Sequence, residues 1–96
     1  MRIRNVVHKG MRRFLDNDEV SGLPAASVDK IRKILTVLQD IGAPEELQAF
    51  PGWKAHRLGG DKKGVWSLTV TRNWRITFSV DETQGEILDL NFEDYH

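Results

Sequence analysis

Asp94-Tyr95-His96 sets a carboxylate, a phenol and an imidazole in three consecutive positions. Of all side chains, histidine has the unperturbed pKa nearest neutrality, ~6.5, which suits it to proton transfer. A second imidazole, His56, stands between Ala55 and Arg57. Taken singly, neither is unusual: polar tails are commonly solvated, and a lone histidine in a strand is commonly structural. Their interest lies in a pairing. If the tail folds back beside the strand bearing His56, His56 and His96 could act as acid and base on opposite sides of one bond. That arrangement suits RNA cleavage by internal attack. One group takes the proton of the ribose 2′-hydroxyl, the other protonates the leaving oxygen, and cations stabilise the phosphorane.

Cations stand nearby in sequence. Arg75 is either a solvated strand charge or a guanidinium fork aimed at phosphate. Lys62 and Lys63 lie in the loop Gly59 to Gly64. That loop lacks the Gly-Lys-Ser/Thr ending of a phosphate-binding P-loop, so it reads as a glycine-rich hairpin connector. His8 has no visible partner and reads as structural. No ligand spacing among the histidines and carboxylates supports a metal site, and without cysteine there is neither a thiolate site nor a disulfide.

The positioning elements follow from periodicity. Arg2 to Val7 reads as a short strand. Met11, Phe14 and Leu15 predict a first helix over residues 8–17, broken at Ser21-Gly22-Leu23-Pro24. Pro24 or Ser27 then marks the start of a second helix. Its apolar stripe is Val28, Ile31, Leu35 and Leu38, widened by Ile34 and Ile41 and closed by Gly42 and Pro44. Beyond Pro51-Gly52 the period changes to two. Trp66-Leu68-Val70, Trp74-Ile76-Phe78-Val80 and Leu88-Leu90-Phe92 alternate across short links, predicting an antiparallel meander with an added strand at Lys54 to Leu58. Trp66, Leu68, Ile76, Phe78, Leu88 and Leu90 are expected on the packed face, with Ser67, Arg75 and Thr77 on the open one. The predicted class is α+β: two N-terminal helices packed on one face of a twisted antiparallel sheet, in a single domain, residues 1–96.

The chain has the hydrophobic (40%) and charged (29%) content of a soluble globular domain, and no apolar run of membrane-spanning length, so the expected location is cytoplasmic. A net charge of zero hides a strong segregation. Residues 1–13 carry Arg2, Arg4, Lys9, Arg12 and Arg13 without an acid; residues 81–96 carry six acids without Lys or Arg. Such a layout makes local positive fields but not the bulk basicity of a self-sufficient nucleic-acid binder.

Several strings resemble a known family. These are His8-Lys9-Gly10, Ser21-Gly22, His56-Arg57-Leu58-Gly59-Gly60-Asp61, Trp66-Ser67, Asn73-Trp74-Arg75-Ile76-Thr77-Phe78 and Glu93-Asp94-Tyr95-His96. Together they resemble HigB toxins of the RelE/ParE superfamily of bacterial toxin–antitoxin systems, nearly end to end. The resemblance implies a RelE-like fold and a ribosome-dependent endonuclease that cuts mRNA in the A site of the 70S ribosome without a cofactor. It also implies inhibition by a HigA-like helix-turn-helix antitoxin, with operator DNA bound only through the antitoxin complex. By motif, His56, Asp94 and His96 would be the catalytic side chains, Tyr95 would orient or stack on the nucleotide, and Arg75 would lie on the active-site face. Family members often carry a lysine just before the Gly-Asp of the loop. Gly59 stands there in this chain, and Arg57, Lys62 or Lys63 are the candidates to replace it.

Two other readings use the same residues. A ParE-like protein would poison gyrase without cutting RNA, and the Asp-Tyr-His ending argues against it because a gyrase binder needs no paired proton-transfer groups. A weakly toxic co-repressor module would bind antitoxin tightly without cleavage.

Overall fold

In the computed structural model, which describes residues 1–94, two helices and five strands share one core. In chain order these are β1 (Arg2–Ile3), α1 (Lys9–Asn17), α2 (Val28–Asp40), β2 (His56–Arg57), β3 (Trp66–Thr69), β4 (Trp74–Asp81) and β5 (Glu86–Asp94). Strand order across the sheet is β1-β5-β4-β3-β2. β2 with β3, β3 with β4 and β4 with β5 pair antiparallel, as their hairpin links allow, but β1 runs parallel to β5. The sheet is therefore mixed. No hairpin joins its first and last strands, and the intervening chain is ample for the crossover that a parallel pair needs.

α1 begins where the His8 imidazole accepts a hydrogen bond from the Met11 amide (Nδ1, 3.1 Å) and ends at left-handed Asp18. Gly10 and Gly22 fix its approach to the following turn. A Cβ on Gly10 would lie 2.2 Å from the Gly22 carbonyl oxygen, so the two backbones touch only because neither residue has a side chain. A 3-10 turn at Ala25–Ser27 leads into α2, which buries Ile31, Ile34, Leu35 and Leu38. The Met1 ammonium donates to the carbonyls of Leu38, Gln39 and Ile41, so a positive charge caps the C-terminus of α2.

Between α2 and β3 the chain is mostly 3-10 turns, anchored by buried Leu47 and Trp53. The predicted strand at Lys54 to Leu58 shrinks to His56–Arg57. Lys54 closes the preceding turn in the left-handed region (φ 49°), which ends extended structure on that side.

The alternation of β3 and β4 is as read: Trp66, Leu68, Ile76 and Phe78 are all buried in the core. β5 departs from it. Its register shifts between Thr77 and Ser79, where Asp89 adopts φ 51° and forms a bulge. Asn5 stabilises that bulge, its Oδ1 accepting from the Asp89 amide and its Nδ2 donating to the Asp89 carboxylate, both at 2.9 Å. Ile87, Leu90 and Phe92 are therefore the buried residues of β5. Leu88, expected in the packed set, is only half-buried.

Candidate active site

Residues directly opposite one another in adjacent strands project from the same face of a sheet. Two rows can be traced on the face away from the helices. One runs His56–Ser67–Thr77–Asn91 and the other Thr69–Arg75–Glu93. At ~4.8 Å per strand, the first row spans roughly 14 Å from β2 to β5. Ser67, Arg75 and Thr77 thus share a face as expected. It is not an open face throughout, because Ser67 and Thr77 are buried. The Ser67 hydroxyl has no hydrogen-bond partner among the described residues.

The 3-10 turn Gly60–Lys62 helps to form a hollow of about 230 Å³ on this face, bounded by Asp61, Lys62, Val65, Thr77, Asn91 and Glu93 among others. Gly60 (φ 62°) and Gly64 (φ 87°) supply the left-handed turns that let the loop double back. A larger hollow, about 630 Å³, lies elsewhere, between residues 1–6 and α1. It contains no histidine, so size does not mark the chemistry here.

His56 is exposed, and its Nδ1–H donates to the Lys54 carbonyl at 2.8 Å. A carbonyl can only accept, so Nδ1 carries the proton, and in the neutral imidazole the lone pair is on Nε2. Nε2 is then the ring nitrogen left to accept a proton. Glu93 occupies the other side of the platform. Its Oε2 accepts from the Thr77 hydroxyl at 2.6 Å, and its Oε1 lies 3.5 Å from Lys62 Nζ. Burial pushes its carboxyl upward, but the Thr77 hydroxyl, Lys62 and Arg75 together outweigh it and hold the group below the ordinary carboxylate value.

Of the predicted site residues, His56 and Arg75 share one face of the sheet, in different rows, and Lys62 borders the hollow on that face. Arg57 does not join them. It pairs with Trp66 in register, with its guanidinium 5.3 Å from the centre of the Trp66 ring and 3.4 Å from Glu45, on the helix side of the sheet. Strand alternation sends neighbours to opposite faces, so Arg57 projects from the face opposite His56, the face that Asp94 shares through its pairing with Trp74. Lys63 is exposed at the exit of the turn. Asp94 is exposed at the end of β5, opposite Trp74, whose ring stacks on Phe92 at 4.7 Å. Tyr95 and His96 lie outside the described residues. Glu93 is a carboxylate on the Arg75 face that sequence reading did not single out. It faces Arg75 only because of the Asp89 bulge, which leaves no mark in the hydrophobic pattern.

His8 is structural, as read: it caps α1 and sets its ring edge-on to Phe92 at 5.5 Å. Among the described residues no three His, Asp or Glu side chains gather in a group that could hold a metal ion, and no helix is long and apolar enough to cross a membrane.

Comparison with known proteins agrees with this architecture. Endoribonuclease HigB of Proteus vulgaris is 39% identical over 94 residues, covering 98% of this chain and 99% of that protein. The solved YoeB/ParE toxin from Agrobacterium tumefaciens shares the fold at a TM-score of 0.53 and 18% identity, over 97% of this chain and 99% of that one. The HigB-like toxin profile, described as the RelE-like toxin of the type II toxin–antitoxin system HigB, matches residues 4–96. With the family profile and a full-length relative in agreement, the chain belongs to the HigB-like toxins of type II toxin–antitoxin systems.

Proposed function

We propose that the chain is a ribosome-dependent endoribonuclease that cuts mRNA in the A site by acid–base catalysis. The observation that carries this reading is His56, tautomerically fixed by the Lys54 carbonyl, on the same sheet face as Arg75 and Lys62. The near full-length identity to an endoribonuclease supports the same chemistry.

In this scheme His56 Nε2 takes the proton from the ribose 2′-hydroxyl, which attacks the adjacent phosphorus. The P–O5′ bond breaks, leaving a 2′,3′-cyclic phosphate and a 5′-hydroxyl. His96 returns a proton to the departing oxygen, while Asp94 and Tyr95 orient the tail and the nucleotide. Arg75 and Lys62 offset the charge that builds on the phosphorane. Neutral net charge fits a protein whose RNA track is supplied by the ribosome, with residues 1–13 adding salt-sensitive phosphate contacts. Toxins of type II systems have an antitoxin partner; here a HigA-like helix-turn-helix protein fills that role, carries the operator contacts, and restrains the toxin in the cytoplasm.

Mapping RNA 5′ ends after brief induction tests the reading. Wild type should produce cuts within ribosome-occupied codons, and His56→Ala or removal of His96 should abolish them by about 10²-fold or more while the protein stays folded. Undiminished cleavage by a variant lacking both imidazoles would overturn the scheme.

A further inference from the structure

The scheme above leaves the Glu93 carboxylate without a task. Glu93 projects beside Arg75 on the face where an RNA phosphate would lie, and an anion there opposes phosphate binding. Three roles are available to it. As a general base it is poorly suited, because both of its oxygens are engaged and its charge is already stabilised by Thr77, Lys62 and Arg75. As a source of stability it is minor: the Lys62 side chain is 51% exposed, and ion pairs so open to water contribute about 0–1 kcal/mol.

The third role is to hold a cation in place. Lys62 sits in a turn bracketed by left-handed Gly60 and Gly64, and its four-carbon stem carries about 2 kcal/mol of rotamer entropy when unconstrained. Glu93, by contrast, sits on a strand, with its carboxylate fixed by the buried Thr77 hydroxyl. A rigid sheet residue therefore tethers a flexible loop residue. We propose that Glu93, braced by Thr77, is a positioning residue that keeps the Lys62 ammonium over the sheet face beside Arg75, where it meets the scissile phosphate. This inference rests on the endoribonuclease reading above. When the phosphate arrives, Lys62 shifts from one anion to the other across a short distance instead of being recruited from solvent, so the benefit falls on the chemical step.

The test is single-turnover cleavage of mRNA on ribosomes with a defined A-site codon, alongside equilibrium binding to the same ribosomes. Glu93→Gln and Lys62→Ala should each slow cleavage by about tenfold, with binding changed by less than about twofold. The double variant should be no slower than Lys62→Ala alone, because Glu93 acts through Lys62. Thr77→Val, nearly the same shape, should slow cleavage by less, at an unchanged Tm. A wild-type rate in Glu93→Gln, or losses that multiply in the double variant, would overturn the proposal. If Glu93→Gln fails to fold, Thr77→Val decides: slowed cleavage supports the tether and an unchanged rate overturns it. Wild-type protein that leaves ribosomal mRNA intact would overturn the endoribonuclease reading and this one together. Cutting by wild type with an unaltered Glu93→Gln rate overturns this one alone.

Discussion

Glu93 faces Arg75 across the β4–β5 ladder because of a single extra residue in β5. At the turn end, Asp81 pairs with Glu86 and Val80 with Ile87. Continued without interruption, that register would set Phe92 against Arg75 on the face that bears His56 and turn Glu93 toward the helices. The left-handed Asp89 absorbs one residue, returning Phe92 to the core and placing Glu93 on the same face as Arg75.

The bulge should therefore be sensitive to its brace. Asn5→Ala removes two hydrogen bonds at a solvent-exposed site and should cost about 1 kcal/mol in urea denaturation. Asp89→Gly should be tolerated better than Asp89→Val by about 1–2 kcal/mol, since a β-branched residue resists φ 51°. The valine variant should also lose cleavage, because a slipped register misplaces Glu93. Equal stability of the two Asp89 variants would show that the bulge does not depend on backbone conformation at this residue.

Gly59 offers a gain-of-function test. Its backbone is extended (φ −105°, ψ −172°), and a Cβ there would meet nothing within 4 Å. Gly59→Lys should fold normally and gain about 0.4–1 kcal/mol from a less flexible unfolded chain. It should also raise ribosomal cleavage by restoring a cation at the loop position where the resembling family often carries a lysine. The same substitution at Gly60 or Gly64 should destabilise the loop, because both need positive φ. A fall in activity for Gly59→Lys would argue that Lys62 alone occupies the phosphate position.

The fold was legible where burial and periodicity coincide. The stripe of α2 and the alternation of Trp66-Leu68 and Ile76-Phe78 give helix, meander and core directly from residue type. β1 was less so, because a two-residue strand gains its parallel pairing from contacts with β5 more than eighty positions away. His56 and Arg75 could be singled out by chemistry. Placing Arg57 on the face opposite His56 needed the strand register, and placing Glu93 beside Arg75 needed the bulge. Both are register facts, and a one-residue shift reverses every side chain without changing the composition.

The crossing of Gly10 and Gly22 predicts an inversion of helix propensity. In an exposed helix, Gly→Ala gains up to about 1 kcal/mol. At Gly10 the new Cβ would stand 2.2 Å from the Gly22 carbonyl oxygen and 2.9 Å from the His8 ring. Gly10→Ala should instead cost about 3 kcal/mol by chemical denaturation, as α1 is forced away from the turn. Gly52→Ala, where a Cβ would meet nothing within 4 Å, is the control and should stabilise the protein by no more than about 1 kcal/mol. A stabilised Gly10→Ala protein would mean that the Gly22 turn yields freely.

His8 makes stability depend on pH near neutrality. Burial, and then the nearby Arg13 charge, hold its imidazole below the ordinary histidine value. Protonation at Nδ1 would also forfeit the cap on the Met11 amide, and lost helix caps cost about 0.5–2 kcal/mol. Because the folded value is the lower one, the unfolded chain binds more protons between the two, and stability rises with pH across that window. The contribution is fully present above the unfolded value of ~6.5. It is lost as pH falls from there through the folded value. Unfolding free energies from urea titrations should thus decline from about pH 7.5 to about pH 5.5 more steeply in wild type than in His8→Asn, whose side chain caps without titrating. Parallel pH profiles for the two proteins would show that His8 does not sense pH in this range.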